Sequence, residues 1–460
     1  MRFRIGKAVC ESLLVLCAAG ALLAAPQKKQ DIDIYKQNPR YWQYEGRPVL
    51  LLGGSVEDNL FQMPDVEDHL DTLARAGGNY VRCTMSCRDE GNVWPFEKVG
   101  GQYNLEKWNP EFWRRFENFL KETSKRDVIA QIEIWATFDY YRDLWAANPF
   151  NPKNNVNYTA QETGLPIKVP THPVRTDNDF FRSIPAVNNQ KKVLKYQRRF
   201  VDKILEHSLR YGNVLYCMDN ETAVTPEWAK YWAQHIRKKA KQAGKTVHVT
   251  EMWDPWDLHH KKHKATFEHP ELYTFVDISQ NNHNSGQKHY DNALYARKVT
   301  RKPPRPINSI KIYGADTGRY GKTKDGVERF WRHIFAGLAS ARFHRPDSGI
   351  GLNKLARRMI RSAREVTGAF DIFACSPRPD LLSSRDENEA YCLAKPGEQY
   401  AVYFPSKGDV KVDLSDAKGS MRVKWFDIEK GEWASQTDCH GGGALRLRTP
   451  GNRLWAAVIR

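Results

Sequence analysis

The sequence predicts an α/β protein: a parallel (β/α)8 barrel followed by a small antiparallel β-sandwich. Short apolar runs alternate with helix-like segments as eight strand-then-helix units over roughly 320 residues. Polar side chains collect where the apolar runs end. From about residue 376 the pattern changes to short strand-like runs separated by Gly, Pro and Asp. A doubly wound open sheet is the alternative, but no glycine-rich phosphate loop follows the first strand.

The barrel strands are predicted from continuous apolar runs, which are typical of strands buried on both faces. The helices are predicted from apolar spacing such as Val66, Leu70 and Leu73, where the segment stops at Gly77-Gly78. The predicted strands are residues 48–54, 79–83, 128–135, 214–218, 246–251, 272–279, 306–312 and 341–344. The clearest predicted helices are residues 66–76, 110–124, 189–211, 227–243, 326–340 and 352–365.

The residues that directly follow the fourth predicted strand are the most informative about function. Val214–Met218 is followed directly by Asp219, Asn220 and Glu221. In a (β/α)8 barrel, the carboxyl ends of the strands form the catalytic face. Glu221 is therefore a catalytic candidate, although it could instead cap the helix that starts near Thr225. After the third strand, residues 137–188 form a segment long enough to overhang the same face.

Composition and charge bound the function. With 41% hydrophobic and 12% aromatic residues, the chain is globular and not disordered. The net charge of +17 favours polyanionic partners, or reflects only a solvated basic surface. No nucleic-acid-binding motif is found, so a sulfated or uronic polysaccharide suits the charge better. Cys83 and Cys87 lack a second ligand pair, and no cofactor loop is present, so neither a metal nor a cofactor is predicted.

The chain is divided into three predicted parts. Residues 1–25 read as a signal peptide, with basic residues before a short run of Leu and Ala, which predicts a secreted or periplasmic protein. No later segment is apolar enough to span a membrane. Residues 26–370 form the barrel, and residues 376–460 form the sandwich, which we expect to pack on the barrel because no long linker separates them. Disulfide pairing and oligomeric state do not follow from the sequence.

The polar residues at the strand ends should converge on one mouth of the barrel. Carboxylates and aromatic residues together, without a metal motif, suggest glycoside hydrolysis, which needs a carboxylic acid and a second carboxylate. The residues in question are Arg82 after strand 2; Glu133 and Trp135 after strand 3; Asn220 and Glu221; Glu251, Trp253, Asp254 and Asp257 after strand 5; His283 after strand 6; and Tyr313 and Asp316 after strand 7.

A family resemblance adds to this pattern. Gly77–Arg82 resembles the second-strand motif of clan A glycoside hydrolases, and Asn220-Glu221 resembles their acid/base motif. The layout is similar to bacterial apiosidase-like barrels with a C-terminal collagen-binding-type β-domain, whose phrases resemble residues 400–405 and 423–427. The resemblance implies that Asn220 contacts the sugar 2-hydroxyl and that Glu221 is the general acid/base. We expect its pKa to be raised by a partly buried position and by the facing carboxylate, so that it acts as the general acid.

One position departs from that family. Clan A enzymes carry a nucleophilic Glu at the end of strand 7, where this chain has Lys311. The second carboxylate could be Glu251, giving a strand-4/strand-5 pair as in the α-amylase family, or Asp316. Otherwise the chain is a non-catalytic carbohydrate-binding or adhesion protein. Lys311 could hold an anionic group of the substrate, or form a salt bridge with Glu221 or Glu251.

The remaining site residues are predicted to contact substrate, each with a structural alternative. Trp135 and Trp253 are expected to wall the pocket, or else to pack in the core. Arg82 could instead orient a strand carboxylate, with Glu133 as its partner, and His283 could be a structural histidine. Tyr313 is expected in the pocket. The favoured function is therefore a secreted glycoside hydrolase that acts on a polysaccharide or oligosaccharide, for which an anionic glycan is a candidate.

Overall fold

The computed structural model describes Met1 and residues 30–460. The predicted signal segment, Met1 excepted, lies outside the described residues. Within them, no helix is both long and apolar enough to cross a membrane. The six cysteines described are all free thiols.

The barrel strands of the described residues are short, parallel and arranged in a ring. Strands β5-β4-β3-β2-β1-β8 form one sheet, and β6-β7 form a second parallel pair. A backbone bond of 2.8 Å from Ala339 N to Ile307 O links β7 to β8, and Val249 N reaches Thr274 Oγ1 at 3.2 Å between β5 and β6. The predicted (β/α)8 barrel is confirmed. The strands are β1 Leu51–Gly54, β2 Tyr80–Thr84, β3 Ile129–Trp135, β4 Val214–Asp219, β5 Val249–Thr250, β6 Val276–Asp277, β7 Ile307–Asn308 and β8 Ser340–Phe343.

Each strand is followed by a helix that packs outside the ring. In the second helix, Asn109 caps the start by accepting from Glu111 N at 3.1 Å, and Pro110 occupies the first turn. Phe112, Phe116 and Phe119 then bury one face against the barrel. The helices are α1 Val66–Arg75, α2 Pro110–Lys125, α3 Lys191–Ser208, α4 Pro226–Gln242, α5 Lys261–Phe267, α6 Gly286–Val299, α7 Thr323–Phe335 and α8 Lys354–Gly368.

An N-terminal β-ribbon closes the amino end of the barrel. Its strands, Asp33–Ile34, Trp42–Tyr44 and Arg47–Val49, pair antiparallel. Trp42 is fully buried among the first residues of the barrel strands, and its indole donates to Asn308 Oδ1 at 3.0 Å. The ribbon does not cover the opposite end of the barrel, where the carboxyl ends of the strands surround a cavity.

Two segments between barrel elements have structure of their own. Residues 85–108 contain a hairpin of Phe96–Val99 and Gln102–Trp108, in a stretch where the sequence predicts no strand. The long segment after β3 folds into short helices, Arg142–Ala147 and Ala160–Thr163, and 3₁₀ turns. It reaches the carboxyl face of the barrel, as its position after a strand predicts.

The C-terminal domain is a two-sheet sandwich. Its larger sheet has the order β9-β11-β12-β17-β14-β15 and its smaller sheet β10-β13-β16. Alternate residues of the larger sheet face opposite ways: Tyr391 and Leu393 join the barrel core, while Cys392 and Ala394 face the smaller sheet. The strands are β9 Ser376–Pro377, β10 Leu382–Ser383, β11 Tyr391–Lys395, β12 Gln399–Phe404, β13 Asp409–Asp413, β14 Ser420–Asp427, β15 Glu432–His440, β16 Ala444–Arg448 and β17 Trp455–Ile459.

The sandwich packs directly on the barrel. The ring of Tyr403 on β12 stacks on Trp331 of α7, with centroids 5.7 Å apart. Phe335 on the same helix contacts Tyr403 at 5.6 Å. The buried apolar residues of the barrel and of the inner face of this sheet form one continuous cluster. We therefore expect the two domains to unfold together.

Candidate active site

A cavity of about 470 Å³ opens at the carboxyl end of the barrel. It is the end where the sequence analysis placed the polar residues. Residues of the long segment after β3, Phe138, His172 and Val174, form part of its wall. Six predicted site residues line it: Arg82, Asn220, Glu221, His283, Lys311 and Tyr313.

Glu221 lies at the first turn beyond β4 in a left-handed backbone conformation, with φ of 48°. For a residue with a Cβ this conformation costs about 1–2 kcal/mol, and such strain is often found at functional sites. The Glu221 Oε1 atom accepts from Lys311 Nζ at 2.6 Å and from the Tyr313 hydroxyl at 2.6 Å. Neither bond uses Oε2, so that oxygen is the one available to a ligand.

The charge state of Glu221 differs from the expectation. Burial alone would raise its pKa, but the Lys311 ammonium and the Tyr313 hydroxyl hold the pKa of Glu221 well below its usual range. Glu221 is therefore a carboxylate at neutral pH. The prediction that it has a raised pKa and acts as a general acid is corrected for that physical reason.

Lys311 occupies the strand-7 position where a nucleophilic Glu was expected. Its side chain is 1% exposed and pairs with Glu221, not with Glu251. Lys311 also donates to Asn220 Oδ1. Burial and the Arg82 guanidinium lower the pKa of Lys311, while Glu221 opposes that change. Of the two roles left open for this lysine, the structure supports the salt bridge with Glu221.

Arg82 orients its neighbours. Its buried guanidinium donates to both oxygens of Glu133, at 2.8 and 2.6 Å, as the structural alternative predicted. It also donates to Asn220 Oδ1 at 2.6 Å and pairs with Asp58. The Asn220 carboxamide oxygen is thus occupied by Arg82 and Lys311, so Asn220 would present its NH₂ group to a ligand.

Glu251 does not reach the cavity, which corrects its role as the leading second carboxylate. Its side chain is fully buried between β4 and β5, where Oε1 accepts from Asp219 N at 3.1 Å and from Met252 N at 2.8 Å. Burial and the Asp219 charge raise the pKa of Glu251 well above its usual range. Burial also raises the pKa of Asp219 to about 7, and Trp228 donates to its carboxylate at 3.1 Å. Burial thus favours the protonated form of both carboxyl groups in the barrel wall, and the charge of Asp219 adds to this at Glu251.

Asp254, three residues beyond Glu251, lines the cavity that Glu251 does not reach. Its side chain lines the cavity, and its backbone N donates to Thr222 O at 3.0 Å, which joins it to the turn that carries Glu221. Burial, and then the negative charge of Glu221, raise the pKa of Asp254 to about 6. In the sequence, Asp254 is one of the polar residues after strand 5, and no feature there distinguishes it from Glu251.

Three other predicted residues lie outside the cavity. Asp316 accepts from Thr323 Oγ1 at 2.5 Å near the start of α7 and is exposed, so it is not positioned as a catalytic carboxylate. Trp135 is 0% exposed and packs on Trp232 at 5.1 Å. Trp253 is 1% exposed and donates to Thr266 Oγ1 at 3.2 Å. Both tryptophans are core residues: Trp135, at the end of β3, and Trp253, beyond β5, pack outward against helices and not toward the mouth.

Other aromatic side chains form the cavity wall that Trp135 and Trp253 were expected to form. Trp256 stacks on His283 with centroids 4.1 Å apart, and His283 contacts Tyr320 at 4.4 Å and Tyr313 at 5.0 Å. Burial lowers the pKa of His283 to about 4, so its ring is neutral at neutral pH. Sequence reasoning missed Trp256, although the segment Trp253–Asp257 carries two tryptophans and two aspartates together.

Basic side chains complete the mouth of the cavity. Arg88 and Arg345 pair with Asp58 and other carboxylates, whereas Arg319 makes no salt bridge within residues 30–460. In the same described range, no group of three or more His, Cys, Asp or Glu side chains could hold a metal ion.

Comparison with known proteins agrees with this architecture. A search of curated proteins finds no match. A family model described as "Putative collagen-binding domain of a collagenase" matches residues 377–455, as the C-terminal resemblance predicted.

The whole chain is similar to solved glycoside hydrolases. A glycoside hydrolase family 5 structure from Bacteroides vulgatus ATCC 8482 is 14% identical, with a TM-score of 0.64, covering 93% of this chain and 92% of that one. A second glycoside hydrolase is 12% identical, with a TM-score of 0.65 and coverages of 94% and 96%. An α-amylase from Geobacillus thermoleovorans is 10% identical, with a TM-score of 0.56 and coverages of 89% and 98%.

These similarities define the class by its fold. The chain has the barrel-plus-β-domain fold of glycoside hydrolases, and the predicted likeness to clan A-type barrels is confirmed at that level. Because fold alone does not set function, the activity has to be argued from the cavity.

Proposed function

We propose that this protein is a glycoside hydrolase whose two working carboxyl groups are Glu221 and Asp254. One observation carries the proposal. The two groups line the same cavity, and their surroundings drive their pKa values apart, well below the usual range for Glu221 and up to about 6 for Asp254. Such divergence separates a carboxylate that stays ionised from a carboxylic acid that can give up a proton.

The roles follow from these charge states. Asp254 donates its proton to the glycosidic oxygen as the bond to the anomeric carbon breaks. Glu221, through Oε2, either bonds to the anomeric carbon or takes a proton from the water that does so. If the glycosyl ester forms, Asp254 then deprotonates the water that hydrolyses it. Lys311 and Tyr313 keep Glu221 ionised and fixed in position. Glu221 is thus the base or nucleophile, and the strand-4/strand-5 arrangement is kept with Asp254 in place of Glu251.

The substrate we propose is a polysaccharide or oligosaccharide that carries uronate or sulfate groups. Arg319 at the cavity mouth, without a salt bridge in residues 30–460, supports this, as does the net charge of +17. The apolar, basic-flanked first 25 residues support export from the cytoplasm.

The test is sugar release from uronic, sulfated and neutral polysaccharides. Wild-type protein is expected to release reducing sugar from at least one anionic substrate, and Glu221→Gln and Asp254→Asn to lose at least about a thousand-fold in kcat. Asp316→Asn is the matched control, an aspartate outside the cavity, and should keep full activity. Full activity in Asp254→Asn would refute the assignment. The anomer released first, followed by NMR, separates direct attack by Glu221 from water activation.

The salt bridge between Lys311 and Glu221 favours a second candidate, a barrel that binds carbohydrate without cleaving it. The resemblance to clan A enzymes leads us to expect a nucleophilic Glu at the end of strand 7, where this chain has Lys311, and the positive charge of Lys311 offsets that of Glu221. Binding of a polysaccharide in affinity electrophoresis, with no product from any substrate after long incubation, would establish this second function in place of the first.

A further inference from the structure

We infer that Trp256 forms a stacking platform that binds the apolar face of a sugar ring next to the reaction centre. This inference rests on the proposed function, since it assigns a binding subsite to that cavity. Trp256 lines the cavity yet is 53% exposed, which is unusual for a side chain as large and apolar as indole. An aromatic ring kept exposed inside a concave site is typical of ligand binding.

One face of the indole is already covered. His283 lies parallel to it, with an interplanar angle of 6° and a centroid separation of 4.1 Å. The exposed area of Trp256 therefore belongs to its other face and its edge. Pyranose rings present C–H groups on one face, and these pack well on a flat aromatic ring while the hydroxyl groups remain hydrated.

The platform is held in place before any ligand arrives. Asn284 Nδ2 donates to Trp256 O at 3.1 Å, and His263 Nε2 donates to Pro255 O at 2.8 Å. His283, which stacks on Trp256, also contacts Tyr313 and Tyr320, so the His283 ring cannot rotate freely away from Trp256. A ring fixed in this way loses little conformational entropy on binding, which favours affinity.

The position of the platform relates it to the chemistry. Asp254 lies two residues before Trp256 in the same loop, and both side chains line the cavity. A sugar ring stacked on Trp256 would lie beside the carboxyl group that we propose as the proton donor. The platform would thus bind the ring that adjoins the bond to be cleaved, and we expect it to bind substrate and transition state about equally.

The test is binding of three soluble polysaccharides, alginate, carrageenan and arabinoxylan, in affinity electrophoresis. Trp256→Ala should weaken binding of whichever polymer the wild type binds by about ten-fold, while Trp256→Phe should stay within about three-fold. Trp433→Ala is the matched control, because Trp433 is 37% exposed but lies on the sandwich domain, and it should bind like wild type.

The outcomes separate this inference from the proposed function. Unchanged affinity in Trp256→Ala, or no binding of any of the three polymers by wild type, overturns the platform. Loss of binding in Trp256→Ala together with no cleavage by wild type supports the platform and refutes only the hydrolase. If cleavage occurs, Trp256→Ala should raise KM about ten-fold for the polymer and leave kcat nearly unchanged.

Discussion

The salt bridge between Lys311 and Glu221 offers the sharpest physical test of the site. Lys311 Nζ lies 2.6 Å from Glu221 Oε1, with side-chain exposures of 1% and 16%. At an effective dielectric constant of about 20, two unit charges at this distance attract by about 6 kcal/mol, and desolvation offsets part of that. Removing one partner leaves the other charge buried, so Lys311→Met should lower the free energy of unfolding by about 3–5 kcal/mol.

A double-mutant cycle isolates the pair. Glu221→Gln should also destabilise, whereas Lys311→Met combined with Glu221→Gln should cost little more than either change alone, giving a coupling of at least about 2 kcal/mol. Urea unfolding at pH 7, followed by circular dichroism, measures all four proteins. The exposed pair Lys395 and Glu398, at 45% and 59% exposure, is the matched control and should couple by less than about 1 kcal/mol. Additive costs at Lys311 and Glu221, within about 0.5 kcal/mol, would refute the buried ion pair.

Three further predictions concern charge and packing. Hydrolysis should decline as pH rises through about 6, because Asp254 must be protonated to act; activity that still climbs above pH 7 contradicts its role as acid. The raised pKa values of Glu251 and Asp219 mean that the native state binds more protons than the unfolded chain, so the protein loses stability as the pH rises above about 4; for Asp219 this loss extends to about pH 7. In Glu251→Gln, the thermal midpoint should therefore fall less between pH 5 and pH 8 than in the wild type, and an unchanged fall would count against a raised pKa at Glu251. Trp135→Phe should cost about 1–3 kcal/mol in urea unfolding and leave KM unchanged, since Trp135 is a core residue; a raised KM at full stability would contradict that.

The sequence alone determined the order of elements in the barrel. Apolar runs without alternation marked buried parallel strands, and each run was followed by a segment with helical spacing or by a polar loop. The ends of the strands were predicted less accurately: β5 is predicted over residues 246–251 but spans only Val249–Thr250 in the structure. The hairpin at Phe96–Trp108 was missed because its polar residues lack a regular apolar pattern.

The sequence also placed Asn220, Glu221, Lys311 and Tyr313 at the mouth, because the ends of strands in a barrel point the same way. It also showed Lys311 at the position where the resemblance to clan A enzymes predicts a nucleophilic Glu, and a salt bridge with Glu221 was one of the roles considered for this lysine. For these residues, the position at the end of a predicted strand was sufficient to predict that they lie at the mouth of the barrel.

Only the tertiary structure decided which carboxyl group after β5 enters the cavity and which charge each one carries. Glu251 and Asp254 both follow the end of β5 at Thr250, and the path of the chain beyond the strand buries Glu251 in the wall and brings Asp254 to the mouth. Protonation depends on burial and on charges brought together from distant parts of the chain. Lys311 is far from Glu221 in sequence, yet through space it keeps Glu221 ionised, and Glu221 in turn raises the pKa of Asp254.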